Sequence, residues 1–259
     1  MKAPPGKRKL EKLFGQVAKY FRSAADDPRN ADAIHSLRTS SRRLRQALVL
    51  YDAGDERFRR GLKKLITACG LVRDLDVLFA VLSEAHTGQS QLFREELHAV
   101  RKEAQRKLAR KLRRWRGRDL LSDWKKTLEA RNRPPAVRES VLHLMEDFFD
   151  RGDRAAQPGH SYKKIHRFRV LSKQLRYTLE LTEPRGSAKL QALKGLQDRL
   201  GALNDCVVAI DLVSGVPSGA PAVTRNLRRL VPRREQAFRV YWRNSFRAPG
   251  RARWLKEYR

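Results

Sequence analysis

The chain has 259 residues and 41% hydrophobic content, enough for a large core and too much for a chain ruled by disorder. Its 58 Lys and Arg against 28 Asp and Glu leave a formal charge of +30, so the compact state repels itself unless an anion neutralises it. Nucleic acid, anionic membrane and inorganic polyphosphate are the partner classes that remain.

Residues 1–20 are basic but hold no continuous apolar h-region and no cleavage pattern, and no long uncharged apolar run follows. Secretion and membrane spanning are disfavoured. Leu10, Leu13, Phe14, Val17 and Phe21 make an amphipathic stripe flanked by Lys7, Arg8, Lys9 and Lys12, which suits either a membrane-surface helix or a bundle helix. The same apolar spacing returns at Val141, Leu144, Met145 and Phe148, now beside Glu139, Glu146 and Asp147. A shared apolar face with opposite surface charge favours packing into equivalent cores.

Next comes Ile34-His35-x-x-Arg38-x-x-x-Arg42-x-Leu44-Arg45-x-x-Leu48, matched 131 residues on by Ile165-His166-x-x-Arg169-x-x-x-Lys173-x-Leu175-Arg176-x-x-Leu179. On a helix the positions His, +3, +7 and +10 fall in an arc of about 80° over roughly 15 Å, so each copy presents one cationic edge. A third helix is predicted through Leu62 to Leu82 and again through Leu193 to Val213, where Gly70 and Asp74 match Gly201 and Asp205. The helix around Leu97 to Trp115 sets a further cationic row, Lys107, Lys111, Arg114 and Arg118, opposite Leu97, Val100, Ala104, Leu108 and Leu112. Breakers at Asp26-Asp27-Pro28, Asp52-Ala53-Gly54, Thr87-Gly88, Pro134-Pro135, Gly152, Pro158-Gly159, Pro184-Arg185-Gly186 and Gly215 to Pro221 delimit the elements. No stretch alternates with period two, so the class is all-α. The constant offset predicts two duplicated four-helix-bundle-like units, about 1–131 and 132–259, related by a pseudo-two-fold axis.

Arg offers phosphate a planar, permanently charged fork and Lys a point charge, so an Arg-rich edge suits a chain of phosphates. Arg38, Arg42, Arg45, Arg169, Lys173 and Arg176 are the candidate ligands, joined by His35 and His166, with Arg43 and Arg73 in support. The competing reading is a solvated face of ion pairs. Asp74 and Asp205 follow a Gly in both halves and are read as carboxylates that orient an Arg rather than as metal ligands, because no further spaced ligand accompanies them in both copies. Neither a metal nor another cofactor is expected. His86, His98, His143 and His160 have no repeat partner and are read as incidental. Cys69 and Cys206 lack metal-ligand spacing and equivalent repeat positions, which suits buried, reduced thiols of a cytosolic protein.

These segments resemble the CHAD family of histidine-bearing α-helical domains: Ile34-His35-Ser36-Leu37-Arg38 with Arg42 to Arg45; Leu71-Val72-Arg73-Asp74-Leu75-Asp76; Ile165-His166-Arg167-Phe168-Arg169 with Lys173 to Tyr177; and Leu200-Gly201-Ala202-Leu203-Asn204-Asp205. The resemblance spans nearly the whole chain. It implies two helical bundles, a basic surface or channel that binds inorganic polyphosphate, and residence at cytoplasmic polyphosphate granules. One departure is that Arg73-Asp74-x-Asp76 carries two carboxylates where Asn204-Asp205-x-Val207 carries one. Another is that the Glu-x-Glu-x-Lys motif of the triphosphatase domain often joined to such modules does not occur.

No Arg-His-Gly, phosphate-loop or Gly-x-Ser-x-Gly pattern is found, so non-catalytic binding is expected. A phosphohydrolase assembled from His35, His166 and Asp74 is the weaker reading. Non-specific nucleic-acid binding is the main rival, and base readout is disfavoured because the stripes lack interleaved Asn, Gln or exposed aromatics. Trp115, Trp124, Trp242 and Trp254 are read as core. The two edges are expected to hold one polyanion in common.

Overall fold

The computed structural model describes residues 5–84, 90–129, 137–159, 161–218 and 221–258. Among them are eleven helices and no strand: α1 (Pro5–Asp26), α2 (Ala31–Leu50), α3 (Glu56–Ala68), α4 (Gly70–Glu84), α5 (Gln91–Gly117), α6 (Leu120–Glu129), α7 (Val137–Ala155), α8 (Tyr162–Thr182), α9 (Ala188–Ser214), α10 (Pro221–Phe246) and α11 (Ala248–Lys256). Thr87-Gly88, Pro134-Pro135, His86 and His160 lie outside the described residues. No described helix is long and apolar enough to cross a membrane. Two compact units form, Met1–Pro135 with Leu212–Val223 and Ala136–Asp211 with Thr224–Arg259.

In the first unit the helix starts are set by side-chain caps. Asn30 Oδ1 accepts from Ala33 N–H at 2.9 Å, Asp55 Oδ1 from Phe58 N–H at 2.6 Å, and Ser90 Oγ from Phe93 N–H at 3.2 Å. The α2–α3 turn needs left-handed backbone at Asp52 (φ 43°) and Gly54 (φ 68°), where a Cβ on Gly54 would stand 3.1 Å from the Phe58 ring. Helix α1 packs along α2 and buries Leu10, Val17 and Phe21 against a face that includes Ile34, Leu37 and Leu44. Leu10, Val17 and Phe21 of the α1 stripe are therefore buried in a bundle core while Leu13 and Phe14 are half-buried, which favours the bundle reading over the membrane-surface one.

The expected third helix is one piece only in the second unit. Cys69 interrupts it in the first, capping α3 with its N–H on the Leu65 and Thr67 carbonyls, and α4 restarts at Gly70. At the matching place Leu200-Gly201 runs on inside α9. A turn at Arg118-Asp119, with Asp119 at φ 45°, likewise splits α5 from α6, so helices outnumber the four expected per unit.

The second unit is organised around aromatic rings. Phe148 lies 5.3 Å from Phe168 and from Trp242, and 5.5 Å from Phe246, in edge-on and tilted contacts. Gly152, read from sequence as a breaker, is buried inside α7. It is a close-approach site: a Cβ there would fall 2.0 Å from the Trp242 ring, whose Nε1–H donates to Asp153 Oδ1 at 2.9 Å.

The C-terminal end of this unit is tied down by a polar network. Lys189, 7% exposed, donates to Glu183 Oε1 at 2.9 Å and to Glu257 Oε2, while the Tyr258 hydroxyl donates to the same Glu183 oxygen at 2.6 Å. Desolvation pushes the Glu183 carboxyl up, but hydrogen bonds from Tyr258 and Lys189 outweigh it and leave the group below its ordinary range. Desolvation pulls Lys189 down, and bonds to Glu257 and Glu183 outweigh it and leave the ammonium above its ordinary range. Linkage then has opposite signs at the two ends. Glu183 stabilises the fold above the carboxylate range and loses that contribution as pH falls through its lowered value, whereas Lys189 stabilises below the lysine range and loses it as pH rises through its raised value. Stability is expected to form a plateau across neutral pH. Lys189→Met should cost about 3 kcal/mol by stranding Glu183, with exposed Lys194→Met nearly silent; equal melting temperatures for the two variants would remove the network's role.

Candidate anion-binding edges

Both cationic rows are set by the core beside them. On α2 the buried residues Ile34, Leu37, Ser41, Leu44 and Leu48 define the inward face. His35 and Arg45 are exposed while Arg38, Arg42 and Arg43 are half-buried. Half-burial suits long basic side chains whose stems lie on apolar surface at a core border. Burial pushes the Cys69 thiol up to about 12 and Arg38 pulls it the other way, which sets that guanidinium near the α3–α4 junction. The thiol stays protonated and inert there. Both cysteines are buried, as the sequence implies.

On α8 the buried set is Ile165, Phe168, Leu171, Ser172, Leu175 and Leu179, with His166 exposed and Arg169, Lys173 and Arg176 half-buried. Helix α8 starts at Tyr162, the same 131-residue offset from Ala31 at the start of α2. Gln197 of α9 donates to the Ser172 carbonyl at 3.0 Å and fixes the register of α8 on α9. One expected ligand has a competitor on its own helix. Arg176 Nε stands 3.5 Å from Glu180 Oε1, both side chains about a quarter exposed, so the ion-pair reading applies in part to Arg176.

Sequence reasoning missed the group that orients His166. Asn204 Oδ1 accepts from the Tyr162 hydroxyl at 3.0 Å and lies 3.2 Å from His166 Nδ1, while Asn204 Nδ2 donates to Asp205 Oδ1 at 3.4 Å. With Oδ1 as the acceptor, Nδ1 carries the proton and Nε2 is the nitrogen left for a ligand. Asp205 thus also supports the edge through Asn204. Burial pushes the Tyr162 hydroxyl up; Arg169 pulls it down, and Asp211 and Asp205 push it up, so these charges surround one phenol.

The first unit is wired differently. Half-buried Arg73 stands at the position of Asn204, and half-buried Asp74 at that of Asp205. The extra carboxylate, Asp76, is taken by Arg101 of α5, with Nε and Nη2 at 2.8 and 2.7 Å from Oδ1. At the same offset the second half has Val207 and Pro232, so both members of that pair are missing together. Among the described residues no three His, Cys, Asp or Glu gather as a metal site.

The α5 row is exposed at Lys107, Lys111, Arg114 and Arg118. Glu103 draws on this end of the helix, lying 3.8 Å from Lys107, 3.8 Å from Arg106 and 3.6 Å from Arg110. Val100, expected on the apolar side, is 42% exposed. His98 stacks on Phe79 at 4.8 Å, and exposed His143 lies 3.8 and 3.7 Å from Glu139 and Glu146 on its own helix, so neither joins an edge. Trp124, Trp242 and Trp254 are buried as expected, but Trp115 is only half-buried.

The model of the CHAD domain matches residues 8–214. A comparison with curated proteins finds no match. Among solved structures, the CHAD domain from the plant Ricinus communis superposes with a TM-score of 0.65 at 22% identity, covering 98% of this chain and 90% of that one. PptA from Streptomyces chartreusis superposes with a TM-score of 0.68 at 18% identity, covering 93% of this chain and all of that one. At these identities the superpositions speak for the fold, and the family match spans most of the chain: it belongs to the CHAD domain family.

Proposed function

We propose that this chain binds inorganic polyphosphate through the α2 edge (His35, Arg38, Arg42, Arg45) and the α8 edge (His166, Arg169, Lys173, Arg176), without hydrolysing it, at polyphosphate granules in the cytoplasm. The CHAD family is polyphosphate-associated. The observation that carries the reading is that two helices starting 131 residues apart each hold a row of one His and three cations along the border of a buried face. A core on one side limits how far such cations can be rearranged, and permanent Arg charges spaced along a helix suit a ligand whose anionic groups recur along a chain. Arg43 and Arg73 extend the rows, and Asp205 supports the second through Asn204.

Non-specific nucleic-acid binding is the rival, favoured by the exposed α5 row. Competition between long-chain polyphosphate and duplex DNA at matched phosphate concentration separates them: polyphosphate should displace DNA, and DNA displacing polyphosphate equally well would favour the rival. No phosphate should be released from polyphosphate with or without a divalent metal.

Exchanging Arg38, Arg42 and Arg45 for Gln is expected to weaken polyphosphate binding more than tenfold, as charge-assisted bonds contribute about 1.5 kcal/mol or more each. Arg169, Lys173 and Arg176 exchanged together should do likewise, with a smaller share from Arg176 because Glu180 already offsets it. The triple exchange of Lys107, Lys111 and Arg114 should cost less than threefold, and equal losses from all three sets would refute the assignment. With Nδ1–H given to Asn204, Nε2 of His166 donates to phosphate only in the imidazolium form. His166→Gln, which removes that ring nitrogen, should weaken polyphosphate binding; unchanged affinity in the variant takes His166 out of the site.

A further inference from the structure

The first unit contains a cavity of 460 Å³ that shares no residue with either edge. It is lined by Phe14, Ala18, Phe21, Arg22 and Asp26 of α1, Trp115 and Arg116 of α5, Asp119 of the following turn, and Leu120, Leu121, Ser122 and Lys125 of α6. That volume is within the range of small-molecule sites, and half of the lining residues are apolar while the other half are polar or charged. The walls are held from behind. Phe14 makes an edge contact to Phe58 at 6.4 Å, and Phe58 stacks on Trp124 at 4.8 Å. Arg116 Nη1 lies 2.7 Å from Asp26 Oδ1, joining the ends of α5 and α1, and Asp119 turns the corner into α6 with its φ of 45°.

Two features indicate what fits. Phe14, Trp115, Leu120 and Leu121 are only half-buried although each lines the cavity, so large apolar side chains stay partly wet. Asp26 offsets Arg116, and Asp119 offsets one of the exposed pair Arg22 and Lys125, which leaves the lining with one net positive charge. Polyphosphate has no apolar surface to bury and cannot use these walls.

We propose that this cavity is a second binding site, for an aromatic monoanion: a flat ring system against Phe14 and Trp115, with its carboxylate or sulfonate held by Arg22 and Lys125. The inference is independent of the polyphosphate reading.

The test uses 8-anilinonaphthalene-1-sulfonate as probe, with saturating polyphosphate present to occupy the α2 and α8 edges. One saturable equivalent per chain is expected, with enhanced probe fluorescence. Ser122→Trp, which fills the cavity, should abolish binding while helical circular dichroism and polyphosphate affinity stay unchanged. Should that variant misfold, the double exchange of exposed Arg22 and Lys125 for Gln should weaken the probe at least fivefold, and the neutral N-phenyl-1-naphthylamine should bind at least fivefold more weakly than the anion to the unaltered chain. Full displacement of the probe by polyphosphate, unchanged binding after Ser122→Trp in a folded chain, or equal binding of the neutral amine would each overturn the proposal.

Discussion

Packing of α1 on α2 and of α7 on α8 decides where the cations stand. Once Leu37, Leu44 and Leu48 are committed to one core and Phe168, Leu175 and Leu179 to the other, the helical repeat leaves His35, Arg38, Arg42 and Arg45, and their counterparts, on a strip beside the buried face. Half-burial restricts the rotamers of several of these side chains before any ligand arrives, which lowers the ordering entropy that a binding event must overcome. The formal charge of +30 makes the arrangement costly in the free protein and favourable in a polyanion complex.

The two edges resemble each other in outline and differ in support. The first has Arg73 where the second has Asn204, and it carries Asp76 locked to Arg101 where the second has neither partner. The second edge is tied to a hydrogen-bonded group of Tyr162, His166 and Asn204 with the carboxylates Asp205 and Asp211 nearby, and Glu180 draws on Arg176. The α8 edge thus carries one arginine fewer than the α2 edge, and its Arg176 faces a carboxylate on its own helix.

Much of this was legible in the order of residues. Apolar spacing at 3.6 residues located α1, α2, α7 and α8, because each buries one continuous stripe, and the turns at Gly54, Gly159 and Gly186 were readable because their backbones take the left-handed region that glycine favours. Gly152 was misread because the same residue also serves where another helix's ring approaches, and nothing local to α7 announces Trp242. The break at Cys69 was hidden for a related reason: Gly70 and Gly201 look alike, yet only one begins a helix. In the site, the Arg176–Glu180 pair has i,i+4 spacing, but the sequence analysis passed over it. The bond between His166 and Asn204 spans 38 residues and exists only through tertiary packing; its one sequence trace was Asn in place of Arg73 at the repeat offset. Trp115 fitted an apolar helical pattern, and that pattern cannot tell a core wall from a cavity wall.

The central claim is that about six cations on two helix borders neutralise phosphates of one flexible chain. Counterion release turns that number into a slope, so the dependence of polyphosphate affinity on salt tests it most directly. At about −0.7 per contact, log affinity against log salt should run near −4 for the unaltered chain and near −2 once Arg38, Arg42 and Arg45 are exchanged for Gln. A slope near zero, or one that the triple exchange leaves unchanged, would contradict the account.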